Sequence, residues 1–360
     1  MIKVTRLLIL FFYIIPFLFI SITRKDFSIF PIIFIYFSFF IFSYLVERKN
    51  YIKIDYTNYL NSTFNQLIFF SLLFFIGRIE LINELISVLF NGEILDFAKN
   101  KAVDRYLGFN ENLSFSYQIG TIAFFCYCIL LGCFNQNKKV YLYIILFLMI
   151  LIESATLGRA GSVIGISLLL GEIIIRYNSS FSYIKIINNA IIILLVSFIL
   201  FSILQIARFD EGDELFSILI LKFGEYTIGI YDAFYIWFND YYNFHLEWGF
   251  NTFTPIYKIL GFSVQQGFYE LVNSNFGYTN IYTNMRGLIS DFGIYLNVLL
   301  FSFFGIFICL KTYFRANVVE YFFLRLIIML IIFPFYSIFS FTTSFSSVLI
   351  SYMILTFYNK

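Results

Sequence analysis

Continuously apolar stretches, each about as long as a bilayer is thick, recur along this chain and are mostly separated by short polar turns. They run at about 4–22, 27–46, 64–80, 115–134, 139–156, 161–176, 184–205, 287–310, 318–338 and 340–357. A membrane-crossing helix needs roughly 20 predominantly apolar residues. Backbone groups in hydrocarbon are satisfied only within helices or closed barrels, and these runs are too long and too evenly apolar for barrel strands, which alternate. The pattern predicts an all-α, polytopic transmembrane helix bundle of about 10 spans, forming one integral membrane domain over residues 1–360. One interval breaks the rhythm. Residues at about 206–283 are read as mostly soluble and predict a single large loop inserted between spans 7 and 8. Within it, 215–238 is apolar enough to mimic a span, but Lys222, Glu225, Asp232 and two glycines interrupt it. An amphipathic helix lying against the bundle mouth fits it better.

Composition agrees with the pattern. Sixty per cent of residues are apolar and 13% are charged, which excludes the ordinary soluble globular class. The first run follows Lys3 and Arg6, is not followed by a small-residue cleavage pattern, and passes through Arg24-Lys25 into the next run. It is therefore expected to be a retained first helix. Cys126, Cys128, Cys133 and Cys309 all lie in or beside apolar runs and lack zinc or thioredoxin spacing, so they read as small core residues. A net charge of +2, without basic patches interleaved with aromatics, argues against nucleic acid as a partner. The 52 Phe and 28 Tyr give Phe the lipid-facing role usually taken by Leu. Placing the amino terminus in the cytoplasm puts Arg48, Lys49, Lys53, Lys138, Lys139, Arg176, Lys185, Lys311 and Arg315 on short inner connections, as the positive-inside rule requires. Both termini are then cytoplasmic, and the large loop is extracytoplasmic.

Ionisable residues inside apolar runs are costly and usually mark a partner or a cavity. Arg78, Glu80, Glu153, Arg159, Glu172, Arg286, Asp291 and Arg325 are such residues. Arg159 lies in the turn Ser154-Ala155-Thr156-Leu157-Gly158-Arg159-Ala160-Gly161-Ser162, whose amides at the start of the next helix suit an anion. A second cluster closes the large loop: Tyr278, Thr279, Asn280, Tyr282, Thr283, Asn284 and Arg286 lead through Gly287 into Ser290, Asp291 and Gly293. On one continuous helix Arg286, Ser290 and Asn297 would share a broad face with Asp291 beside it, and Asp291 is open to two roles, pairing with Arg286 or taking a proton. The acidic stretch Asp210, Glu211, Asp213 and Glu214 lacks calcium-loop spacing and reads as a solvated loop. No metal or cofactor is expected. Tyr231, Tyr235, Trp237, Tyr241, Tyr242 and Trp248 suit either an interfacial belt or stacking on sugar faces.

At these residues the chain resembles the bacterial O-antigen and capsular repeat-unit polymerases of the Wzy type. The resemblance rests on the turn Thr156-Leu157-Gly158-Arg159-Ala160, on the long outer loop, and on Thr279-Asn280-Ile281-Tyr282-Thr283 leading through Gly287 into Asp291-Phe292-Gly293. It implies a glycosyltransferase of the cytoplasmic (inner) membrane that moves a growing glycan from its polyprenyl pyrophosphate to an incoming lipid-linked repeat unit on the outer face. Its implied partners are that oligosaccharide lipid, membrane lipid, and chain-length regulator and flippase proteins. The chemistry needs cations where leaving-group charge develops and a group that accepts the acceptor's proton. Arg159, Arg208 and Arg286, with Asn280, Thr283 and Tyr278, are the expected pyrophosphate and glycan ligands, because arginine's fork pairs phosphate oxygens and keeps its charge. Asp291, Glu225 and His245 are the expected catalytic candidates, with Glu247 also weighed as a base in the outer loop. An O-antigen ligase, or a flippase for the same lipid, remains the alternative.

Overall fold

A computed structural model describes residues 1–47, 61–91, 115–134, 140–155, 159–176, 224–263, 271–275, 277–279, 282–314, 316–333 and 338–358. Among the described residues the regular elements are helices except for one small hairpin. The elements are α1 (Ile2–Arg24), α2 (Phe30–Glu47), α3 (Phe64–Gly77), α4 (Ile79–Asn91), α5 (Phe115–Gly132), α6 (Val140–Ala155), α7 (Arg159–Arg176), α8 (Ile230–Asp240), α9 (Thr254–Ile259), β1 (Val272–Ser274), β2 (Gly277–Thr279), α10 (Asn284–Tyr313), α11 (Val318–Ile332) and α12 (Thr342–Tyr358). Among the described residues, four helices are long and apolar enough to cross a membrane: Ile2–Arg24, Phe30–Glu47, Phe115–Gly132 and Asn284–Thr312. The pair α3 and α4, bent by 64°, makes a fifth if it is one span. Val140–Glu153, Gly161–Ile175 and Thr342–Phe357 are shorter apolar helices. The run expected at 184–205 lies outside the described residues. The antiparallel pair β1 and β2, with Val272 opposite Thr279, falls in the segment read as loop.

The chain forms two compact units. The first comprises Met1–Tyr59, Gly171–Asn178 and Leu221–Phe345. In it α2 and α10 pack along one another so closely that a Cβ on Gly305 would lie 2.5 Å from the Phe39 carbonyl oxygen. Small residues permit such backbone approach between membrane helices. Ser38 Oγ donates to the Val298 carbonyl at 3.1 Å across the same contact. Aromatic rings fill the space beside it, Tyr13 stacking on Tyr36 at 4.5 Å and Tyr36 meeting Phe301 edge-on at 5.2 Å.

Helix irregularities in this unit have local causes and remote remedies. Pro16 has no N–H to offer the carbonyl four residues back, and the helix opens into one π turn at Leu10–Ile14. The Phe12 carbonyl instead accepts from the Tyr231 hydroxyl on α8. At the end of α11, Tyr13 Oη donates to the Ile331 carbonyl at 2.8 Å, and Asn284 Nδ2 reaches the Leu330 and Phe333 carbonyls, each at 2.9 Å. Glu172 is buried here too, accepting from Tyr321 Oη at 2.9 Å and from Arg325 Nε.

The second unit comprises Leu60–Leu170, Ser179–Ile220 and Ser346–Lys360. α3 starts at a capping box, Thr63 and Gln66 each satisfying the other's backbone N–H. At the bend between α3 and α4, Arg78 is wholly buried. Its guanidinium donates to Glu153 at 2.7 and 3.2 Å, to the Tyr117 carbonyl at 2.6 Å and to Thr121 Oγ1 at 2.6 Å. It also lies 3.6 Å from the Tyr117 ring centroid. Arg78 and Glu153 thus serve each other in the core, and Gly161 is needed beside them, because a Cβ there would approach Glu153 Oε1 to 2.7 Å. Removing one partner of such a pair costs about 3–5 kcal/mol, whereas a packed apolar replacement of both is often neutral. Glu153→Ala is therefore expected to lower the denaturant midpoint in detergent sharply, and Arg78→Met with Glu153→Leu to recover most of it.

Candidate functional site

In the first unit the residues before Asn284 lead into α10, and the site is built around that helix's first three turns. Thr283 holds the N-cap position in extended geometry (φ −72°, ψ 157°), but its side chain does not cap the helix. That hydroxyl is 2% exposed and has no hydrogen-bond partner among the described residues. Arg286 follows in the first turn, 6% exposed. Its guanidinium carbon lies 4.2 Å from the Tyr282 ring centroid and 5.1 Å from that of Trp237, so two aromatic faces hold a cation at the positive end of a long helix.

α10 is not continuous. Gly293 has φ 66° and ψ −179°, a conformation open in practice only to glycine, and it breaks the helix. Carbonyls around the break find other donors. Asn297 Nδ2 bonds the Leu288 and Gly293 oxygens at 2.8 and 2.6 Å. The Glu247 amide donates to the Ser290 carbonyl at 2.9 Å and the Trp248 amide to the Asp291 carbonyl at 3.0 Å. The expected face shared by Arg286, Ser290 and Asn297 is thus interrupted, and Asn297 spends its carboxamide on the break.

Residues 242–262 are seated on this break by their own side chains as well. Asp291 is fully buried and accepts from the Asn251 amide at 3.0 Å, from Asn251 Nδ2 at 3.0 Å and from the Thr252 amide at 2.7 Å. Asn251 Nδ2 also donates to Glu247 Oε2, so one carboxamide joins an exposed carboxylate to a buried one. Gly287 makes room: a Cβ there would stand 3.3 Å from Asn251 Cβ. Phe244 (φ 60°) and Trp248 (φ 51°) are held in the left-handed region, unusual for aromatic residues and typical of functional loops. Phe244 is 74% and Trp248 64% exposed, whereas Tyr231 and Trp237 are buried and Tyr231 is committed to α1.

A second polar cluster ties α8 and the β hairpin to the end of α1. Asp232, fully buried, takes both prongs of Arg24 at 2.9 and 2.8 Å and the Asn275 amide at 2.8 Å. Tyr235 donates to Asp26, and that hydrogen bond holds the Asp26 carboxyl below its ordinary value. Glu225 is buried at the start of the π turn Glu225–Gly229 that leads into α8.

The expected site residues are therefore distributed. Thr283, Arg286 and Asp291 lie within the opening turns of α10, and His245 lies exposed in the loop seated there, its amide bonded to Asn243 Oδ1 at 3.2 Å. Tyr278 sits in β2, its side chain outside the described residues. Arg208 and Asn280 lie outside them, as does the acidic stretch at 210–214. Arg159 is the first residue of α7, with its side chain outside the description. Asn251 and Thr252 carry the hydrogen bonds to Asp291 without having stood out in the sequence, because loop and helix partners are about 40 positions apart. The one local signal was glycine spacing, Gly287 and Gly293 flanking Asp291. The fold and site together define an α-helical chain with several potential membrane spans and a loop-capped polar centre. No protein family, curated protein or solved structure matches it.

Gly293→Ala would place a methyl 3.1 Å from Leu246 Cδ2 and force a side-chain-bearing residue into a conformation costing about 1–3 kcal/mol. The expected result is faster hydrogen exchange and proteolysis within 242–262, with α2 remaining as protected as in the wild type.

Proposed function

We propose that the chain is a membrane glycosyltransferase of the repeat-unit polymerase type, joining polyprenyl-pyrophosphate-linked oligosaccharides into O-antigen or capsular polysaccharide at the outer face of a bacterial cytoplasmic membrane. The observation that carries this reading is Arg286, buried between Tyr282 and Trp237 at the amino end of α10 beside the Thr283 hydroxyl, which has no hydrogen-bond partner among the described residues. An arginine, a hydroxyl and a helix amino terminus together suit a departing pyrophosphate, whose charge grows as the glycosyl bond breaks. Within this reading the chain crosses the membrane ten times with both termini inside, and 206–283 is the outer loop that covers the sugar. Arg159 and Arg208, which belong to the second unit, are proposed as pyrophosphate ligands in their own right; Asn280 and Tyr278 contact the glycan, and the proton acceptor is drawn from the acidic and histidine side chains around α10.

Polymerisation is tested by the length distribution of surface polysaccharide in a deletion strain complemented with wild type, Arg286→Ala, Arg286→Lys or Arg159→Ala at matched membrane abundance. Deletion is expected to leave single capped repeat units. Wild type restores long chains, Arg286→Ala and Arg159→Ala do not, and Arg286→Lys restores shortened ones, since lysine keeps the charge but loses the fork. Complete repeat units trapped on the cytoplasmic face of the deletion strain would instead identify a flippase.

A further inference from the structure

We infer that Glu247 is the general base of this site and that Asn251 and Asp291 are its positioning residues, an assignment that rests on the polymerase reading above. Three carboxylates and one imidazole compete for the role, and their environments separate them. Asp291 is fully buried, and three N–H groups from Asn251 and Thr252 already occupy its two oxygens. A carboxylate so enclosed fixes its neighbours and does not meet an acceptor sugar. Glu225 is buried at the far end of the α8 segment. His245 is exposed, but among the described residues no side-chain hydrogen bond holds its imidazole. Glu247 alone is both exposed and held: Oε2 accepts from Asn251 Nδ2, its amide is pinned to the Ser290 carbonyl at 2.9 Å, and Oε1 takes no hydrogen bond among the described residues.

Placement relative to the cation completes the argument. The amide of Glu247 docks at Ser290, four residues beyond Arg286 on α10, which is about 6 Å of axial rise. The base and the anion ligand are thus both anchored on the same short helical segment, as two groups acting on one sugar require. Thr283, whose 2%-exposed hydroxyl has no partner among the described residues, lies on the Arg286 side, before the first turn. In the step this supports, the acceptor hydroxyl gives its proton to Glu247 as its oxygen bonds the donor's anomeric carbon. The bond from that carbon to the pyrophosphate oxygen breaks, and the electron pair leaves with the lipid pyrophosphate beside Arg286. Trp248, adjacent to the base and 64% exposed, offers its ring to a sugar face.

The test uses the full chain in liposomes supplied with a polyprenyl-pyrophosphate-linked oligosaccharide, reading the elongation rate and KM for that lipid, with folding checked by loop proteolysis. Glu247→Gln is expected to lower kcat by about 100-fold or more, the usual scale for loss of a general base, with KM within about twofold. Glu247→Asp, which keeps the carboxylate but shortens it, is expected to retain more activity than Glu247→Gln and covers the case in which the amide variant does not fold. Asn251→Ala is expected to lower kcat about tenfold at unchanged KM, a split that general loosening of the site would not give. Wild-type kcat in folded Glu247→Gln, or a folded Glu247→Asp no more active than Glu247→Gln, overturns the base while leaving polymerisation intact. Failure of the wild-type protein to elongate at all removes both.

Discussion

Carbonyl oxygens released from helical hydrogen bonding are the constraint on which the first unit depends. In apolar surroundings an unpaired backbone group costs several kcal/mol, so each helix irregularity needs a donor from elsewhere. Pro16 releases Phe12, and Tyr231 supplies the proton. The end of α11 releases Leu330, Ile331 and Phe333, and Asn284 and Tyr13 supply theirs. Gly293 breaks α10, and Asn297 with the amides of Glu247 and Trp248 closes the account there. Every one of these donors joins residues distant in sequence or spanning a break, so the same bonds that satisfy the backbone also assemble the unit.

The candidate site follows from that constraint. A straight α10 would present its carbonyls only to itself and give the loop nothing to dock on. The break offers acceptors at Ser290 and Asp291, and the loop accepts two left-handed aromatic residues in order to reach them. Asp291 then contributes its side chain to the same seat, holding Asn251 and Thr252. Arg286 remains one turn away between the rings of Tyr282 and Trp237.

Long apolar runs made the helical elements legible, because hydrophobic length and helix length are the same physical requirement. The interval at 206–283 was legible as a break in the apolar rhythm, and Gly287 and Gly293 as part of the polar run leading into Asp291. Less could be read of what happens inside the loop. The segment 215–238 contains the start of α8, but nothing local says that Tyr231 answers Pro16 or that Asp232 takes Arg24, more than 200 positions away. The β hairpin was hidden because its three-residue strands are too short to show alternation. Arg78 and Glu153 stood out singly as charges in apolar runs, and their partnership emerges only when α3, α5 and α6 are packed.

The most direct test is a density map of the protein in nanodiscs with a polyprenyl-pyrophosphate-linked oligosaccharide bound. The account places the pyrophosphate against Arg286 and Thr283 at the amino end of α10, with the sugar beneath the seated loop and within reach of Glu247. Pyrophosphate density away from that helix end, with Arg286 still enclosed by Tyr282 and Trp237, would contradict it.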